Sequence, residues 1–230
     1  MKFLTRLFAL LALVAFTPAC GDVGHNDHDD HGDHDDHDDH GDHDGHGHDG
    51  HEGHDHDPQE VMTTLKLTFT AEGGADPFTA TWADVNSDGN AMIDTIMLTA
   101  GETYAVTIQV LNELERPTED VTLELRDELE EHQFFFYGDD ISSPASESMS
   151  AIVNQSYTDM DSEGFPVGLS NTFEAVEAGS GQLNIMLRHM PRVNGNLVKT
   201  AELAEMVKNG DIASLPGAVD IDVSFPITVQ

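Results

Sequence analysis

The chain has 230 residues and a formal charge of −35, from 44 acidic against nine basic side chains. Such an acidic chain excludes nucleic acid and acidic surfaces as partners and makes cations the natural ones. Its single cysteine excludes an internal disulfide and a thiolate metal cluster.

The first segment is a targeting signal. Lys2 and Arg6 form a positive end, Leu7 to Phe16 a short apolar core, and Thr17-Pro18-Ala19-Cys20 the exit. That core is too short to span a bilayer, so residues 1–19 are expected to be a signal peptide and not a membrane helix. The exit is similar to a bacterial lipoprotein signal, in which cleavage leaves a lipid-modified cysteine as the first mature residue. Cys20 is therefore the expected lipidation site, and the cell envelope the expected location: outer membrane or cell surface, the periplasmic side included. Thr17 stands where that pattern prefers Leu, and ordinary cleavage after Ala19 is the alternative.

Residues 20–58 follow as a lipid-anchored tail made almost wholly of His, Asp and Gly. His25, His28, His31, His34, His37, His40, His43 and His46 recur at every third position, and His48, His51, His54 and His56 continue with looser spacing. Fifteen acidic and no basic groups fall between residues 21 and 57. With no apolar side chain to bury between Gly24 and Asp57, the tail is expected to be disordered. A period of three suits an extended, polyproline-II-like chain, which turns every imidazole to one side, and not a helix. Imidazole is a common ligand for zinc, copper and nickel, and carboxylates add oxygen donors and negative charge. At about four ligands per ion the tail would hold on the order of three zinc ions. Ordering a mobile chain costs roughly 1–2 kcal/mol per residue fixed, which favours capture and hand-over over permanent retention. A solvated spacer is the plainer reading, compatible with the first, but a spacer needs no imidazoles.

From residue 59 to 230 the composition becomes that of one domain with a real core. Alternating apolar and polar residues predict strands at Leu65–Ala71, Phe78–Trp82, Thr95–Thr99, Thr103–Val110, Ala151–Thr158, Gly168–Val176, Gly181–Met190 and Val219–Val229. Pro226 lacks a ladder donor, which puts the last strand at an edge or gives it a bulge. Thr118–Glu131 reads as a helix capped by Thr118, and Ala201–Lys208 as a short helix ended by Asn209-Gly210. Seven to nine short strands predict a mainly β fold: an antiparallel β-sandwich of the immunoglobulin-like class with one or two short helices, preceded by the disordered tail.

Three candidate sites lie in this domain. Asp84, Asn86, Asp88 and Asn90, with Gly89, have the spacing of a calcium loop, but Thr95 stands where its bidentate Glu belongs, and a polar hairpin turn is the plainer reading. Asp159-Met-Asp161-Ser-Glu163-Gly164 is a second run of this kind, with the same plain reading. His132, before Gln133-Phe134-Phe135-Phe136-Tyr137, and His189, on the face of Leu183, Ile185 and Leu187, are the two remaining histidines; they either share a metal or pack as hydrogen-bonded core. Met186 and Met190 would suit copper(I) if they converged on His189. No nucleophile–base arrangement, phosphate loop or zinc-hydrolase motif occurs, so an enzyme is not expected.

The stretches Glu130-Glu131-His132-Gln133-Phe134-Phe135, Tyr157 to Leu169, and Leu187-Arg188-His189-Met190-Pro191 resemble a family of envelope lipoproteins from the Bacteroidota, loosely labelled as periplasmic-binding-type. The resemblance covers residues 63–230 and not the tail. The label implies an α/β fold, whereas the strand pattern implies β. The resemblance lends no catalytic residue and supports the envelope assignment. The sequence thus predicts an envelope lipoprotein that binds divalent transition metal, zinc first with copper and nickel as alternatives, and partners a metal transporter or outer-membrane receptor. The alternative is a calcium-stabilised structural or adhesive surface module with the tail as its stalk.

Overall fold

The computed structural model describes residues 61–230, so the signal segment, Cys20 and the twelve tail histidines from His25 to His56 lie outside the described residues. The alternation of Leu65, Leu67 and Phe69 with Lys66 and Thr68 makes β1 (Thr64–Ala71) one-faced, and its apolar side is fully buried. β1 pairs antiparallel with β2 (Phe78–Ala83) and with β5 (Thr103–Asn112). β10 (Ser170–Ala175) and β9 (Val153–Tyr157) extend this sheet, and β3 (Met92–Ile93), β6 (Glu119–Asp120) and β8 (Ile141–Ser142) add two-residue edges. The second sheet has the order β4 (Ile96–Leu98), β12 (Ala218–Val229), β11 (Gly179–His189), β7 (His132–Tyr137).

The two sheets close one apolar layer between them. Leu65, Leu67, Phe69 and Phe173 from the first meet Phe134, Phe136, Leu183, Ile185, Leu187, Ile221, Val223 and Phe225 from the second. Phe173 lies at its centre, edge-on to both Phe69 (5.8 Å between centroids) and Phe136 (5.8 Å). Behind the second sheet, Phe135, Met186 and Met190 face outward and are covered by Leu203, Ala204 and Val207 of α2 (Leu203–Lys208) and by Leu215 after a 3₁₀ turn at Ile212–Ser214. This second layer explains why β7 is apolar without alternation: it is covered on both faces.

The fold is therefore the expected mainly β, two-sheet arrangement with two short helices, and not α/β. Two strand pairs, β4–β12 and β8–β9, are parallel, so the antiparallel rule holds for the rest only. Pro226 sits where its missing donor is harmless, because β4 reaches only Ile227–Val229 and leaves β12 an edge before that. The bulge falls instead where Leu187 and Arg188 meet β12. The helix expected over 118–131 shrinks to α1 (Thr122–Asp127). Glu119 and Asp120 pair with Asn112 and Leu111, and the Thr122 hydroxyl accepts the Val110 N–H at 2.8 Å, so sheet contacts overrule the helical pattern up to residue 121.

Candidate metal centre

His132 opens β7 and His189 closes β11, and the register sets them directly opposite each other at the end of the second sheet. Alternation puts both on the inner face, in line with Phe134 and Phe136 on one strand and Leu187 and Ile185 on the other. Their rings stack at 4.5 Å between centroids, 14° from parallel. His132 is only 1% exposed, whereas His189 sits half-buried at the rim.

The third member comes from the residue that ends α1. Glu128 caps that helix, and its Oε2 lies 3.9 Å from His132 Nδ1. One ligand atom from each of Glu128, His132 and His189 falls within 4.8 Å of the others. His132 Nδ1 is also 3.1 Å from the Glu128 carbonyl. A carbonyl can only accept, so in that contact Nδ1 is the donor, and it steers the ring from behind. Imidazole lone pairs lie in the ring planes and run parallel in a stack, so a shared ion requires one ring to turn; His189 at the rim is the one with room.

The segment that carries Glu128 and His132 is held on two sides. On one, the Phe134 N–H donates to the Val167 carbonyl at 2.7 Å, the Tyr157 hydroxyl to the Phe134 carbonyl at 2.8 Å, and the Ser162 hydroxyl to Glu130 at 2.5 Å. On the other, the Met190 N–H donates to the Glu131 carbonyl at 2.6 Å, and Arg192 pairs with Glu131 at 3.4 Å. The stretches 130–135, 157–169 and 187–191, far apart in sequence, thus meet around this centre. Two glycines allow the approach. Gly217 (φ +76°) lies so close against the His189 carbonyl that no Cβ fits, and a Cβ on Gly168 (φ +94°) would stand 2.8 Å from Phe134 Cβ.

Nearby charge is mixed. Arg188 points to the outer face and donates to the carbonyls of Leu215 (2.7 Å), Pro216 (2.9 Å) and Gly217 (3.0 Å). Burial pushes the Asp220 carboxyl above the usual carboxylate range, with His189 and Arg188 pulling it back. Its Oδ2 is buried without a hydrogen-bond partner.

The other predicted sites fare differently. Asp84 accepts the N–H groups of Asp88 (3.1 Å) and Gly89 (2.8 Å) on its own two oxygens, and Asp88 accepts from Asn90 and Asn86, so the loop from Asp84 to Asn90 is bonded to itself. Asp159 likewise accepts from Gly168 and Ser170, and Asp161 from Glu163 and Phe165. Met186 and Met190 do not converge on His189: even-numbered residues of β11 face outward, and both pack against Phe135 and α2. A polar cleft of about 950 Å³ opens at the far end of β7 beside Tyr137, Asp139, Asp140, Gln182 and Lys208, and contains no histidine. Sequence reasoning missed Glu128, which looked like one more acid of a long helix. Its only signal was the spacing of four to His132.

Comparison with family models, curated proteins and solved structures finds no match to this chain. The fold and the site together define a two-sheet β domain carrying a two-histidine, one-carboxylate group at one end.

Proposed function

We propose that this is an envelope-anchored binding protein for divalent transition metal, zinc first, in which the histidine tail captures ions and the folded domain receives one at Glu128, His132 and His189. The observation that carries the reading is the convergence of the only two histidines outside the tail, 57 residues apart in sequence, on one rung of β7 and β11 beside Glu128. Two imidazoles and a carboxylate form a borderline donor set, suited to zinc, nickel or copper(II), and they lack the sulfur that copper(I) prefers. Three protein ligands leave a fourth position for a donor that brings or removes the ion.

Hand-over from tail to domain is then an exchange of ligands at that fourth position. Release to a transporter or outer-membrane receptor would follow from the same open position.

Zinc titration of the full chain tests this. The expected stoichiometry is about four, on the order of three in the tail and one in the domain. Replacing the twelve tail histidines with Asn should leave one ion, which His189→Asn then removes. A tail-silenced chain that binds no zinc, or binds it equally well with His189→Asn, refutes the domain site. Unchanged stoichiometry on silencing the tail refutes the capture role.

A further inference from the structure

Beneath the metal centre lies a charge that none of the chemistry above uses. Lys199, in the loop between β11 and α2, is 2% exposed. Its Nζ stands 2.9 Å from the Leu129 carbonyl, 2.9 Å from the His132 carbonyl and 2.9 Å from Asp161 Oδ2. The two carbonyls accept from the ammonium, and Asp161 stands against it as the counter-charge. Asp161 is fixed in turn, since its Oδ1 accepts the N–H groups of Glu163 (3.0 Å) and Phe165 (2.8 Å).

Burying this pair is costly. Desolvation draws the Lys199 ammonium below its ordinary range, against the pull of Asp161. An apolar pair of similar volume could fill the same space, but it would take this donor away from the Leu129 and His132 carbonyls. What an apolar pair cannot do is hold two carbonyls at a fixed separation. The carbonyls held are those of Leu129 and His132, which bracket the turn linking Glu128 to the His132 ring. The other side of that turn is tied to β11 through Glu131 and Met190.

We propose that Lys199, seated on Asp161, is a positioning residue of the metal centre: it fixes the backbone from Leu129 to His132 so that the Glu128 carboxylate and the His132 ring are presented together to His189. This rests on the metal-centre reading above. It adds that the centre is preorganised by a buried cation bonded to main-chain carbonyls of the ligand-bearing turn.

The test uses the full chain with its twelve tail histidines changed to Asn, titrated with Co²⁺, whose visible ligand-field bands report donor set and geometry. The parent should bind one Co²⁺ with a band that Glu128→Gln abolishes; if it shows none, the metal-centre reading itself fails, and the role of Lys199 with it. Given the parent band, D161N and K199M should each weaken Co²⁺ binding about 10–100-fold and shift the band, with unchanged far-ultraviolet circular dichroism. K199M leaves the Asp161 charge stranded in the interior, so D161N, which keeps the side-chain shape and the Oδ1 contacts, is the deciding arm. K199R, which restores a buried donor cation, should recover part of the affinity. A folded D161N chain with the parent's affinity and band overturns the proposal, whatever K199M does.

Discussion

Zinc should raise the melting temperature through the folded-domain site and not through the tail. A ligand stabilises a fold only to the extent that it binds the native state better than the unfolded chain. On the proposed reading the tail histidines bind ions alike in both states, so loading them cancels. Glu128, His132 and His189 come within 4.8 Å only when β7 pairs with β11, so their ion counts in full. At free zinc of 100 times the dissociation constant the gain is about 2.7 kcal/mol. For a domain of roughly 170 residues each kcal/mol moves the transition by about 2–4 °C, so the expected rise is about 5–10 °C. Differential scanning calorimetry of the full chain, its tail-silenced form and the same forms with Glu128→Gln or His189→Asn decides it. The rise should survive tail silencing and vanish with either substitution. A rise that follows the tail and ignores Glu128 and His189 would refute the reasoning, as would the same rise with calcium.

Other outcomes follow from the same structure. Phe173→Ala empties the place between Phe69 and Phe136 in a fully buried layer and should cost about 3–5 kcal/mol, read as a lower urea midpoint with little change in slope. Asp220→Asn should raise the melting temperature at pH 7 and change nothing below about pH 3. The carboxyl ionises near pH 3.9 in the unfolded chain but later in the fold, so its charge lowers stability increasingly from there through the raised folded value and by a constant amount above it. An equal or lower value for the Asn form at neutral pH would refute this. Gly217→Ala should drive a methyl into the His189 carbonyl from a left-handed backbone, lowering both the melting temperature and the zinc-dependent rise; a chain that keeps both would show that β12 can shift without moving His189. Zinc loading of the tail should weaken as pH falls through about 6–7, since protons compete for each imidazole, and pH-independent stoichiometry down to pH 5 would exclude histidine as the ligand.

Much of the fold was legible because burial on one face writes a period of two into a strand. β1, β5, β10 and β12 stand within about two residues of their expected positions for that reason. Where both faces are covered the period disappears, and β7 read only as an apolar run. The long helix failed for the opposite reason: Thr118–Glu131 carries the composition of a helix, yet Glu119 and Asp120 gain more from pairing with β5 than from one more turn. The carboxylates at Asp84–Asn90 and Asp159–Glu163 were ambiguous in sequence, because a turn that bonds its own N–H groups and a loop that binds calcium use the same residues. The hydrogen bonds present are those of the self-bonded turn, with Asp84 and Asp161 each accepting two N–H groups of their own loops.

By itself the sequence determined that twelve imidazoles and fifteen acids stand in one stretch whose one apolar residue is Val23, ahead of a mainly β domain, because composition and short periods are local properties of the chain. Only the tertiary structure decided that His132 and His189 face each other with Glu128 beside them, and that Lys199 lies beneath the turn that carries two of the three. Partners separated by 57 or 67 positions leave no mark on local pattern; strand register and loop docking bring them together, and those are set by the whole core at once.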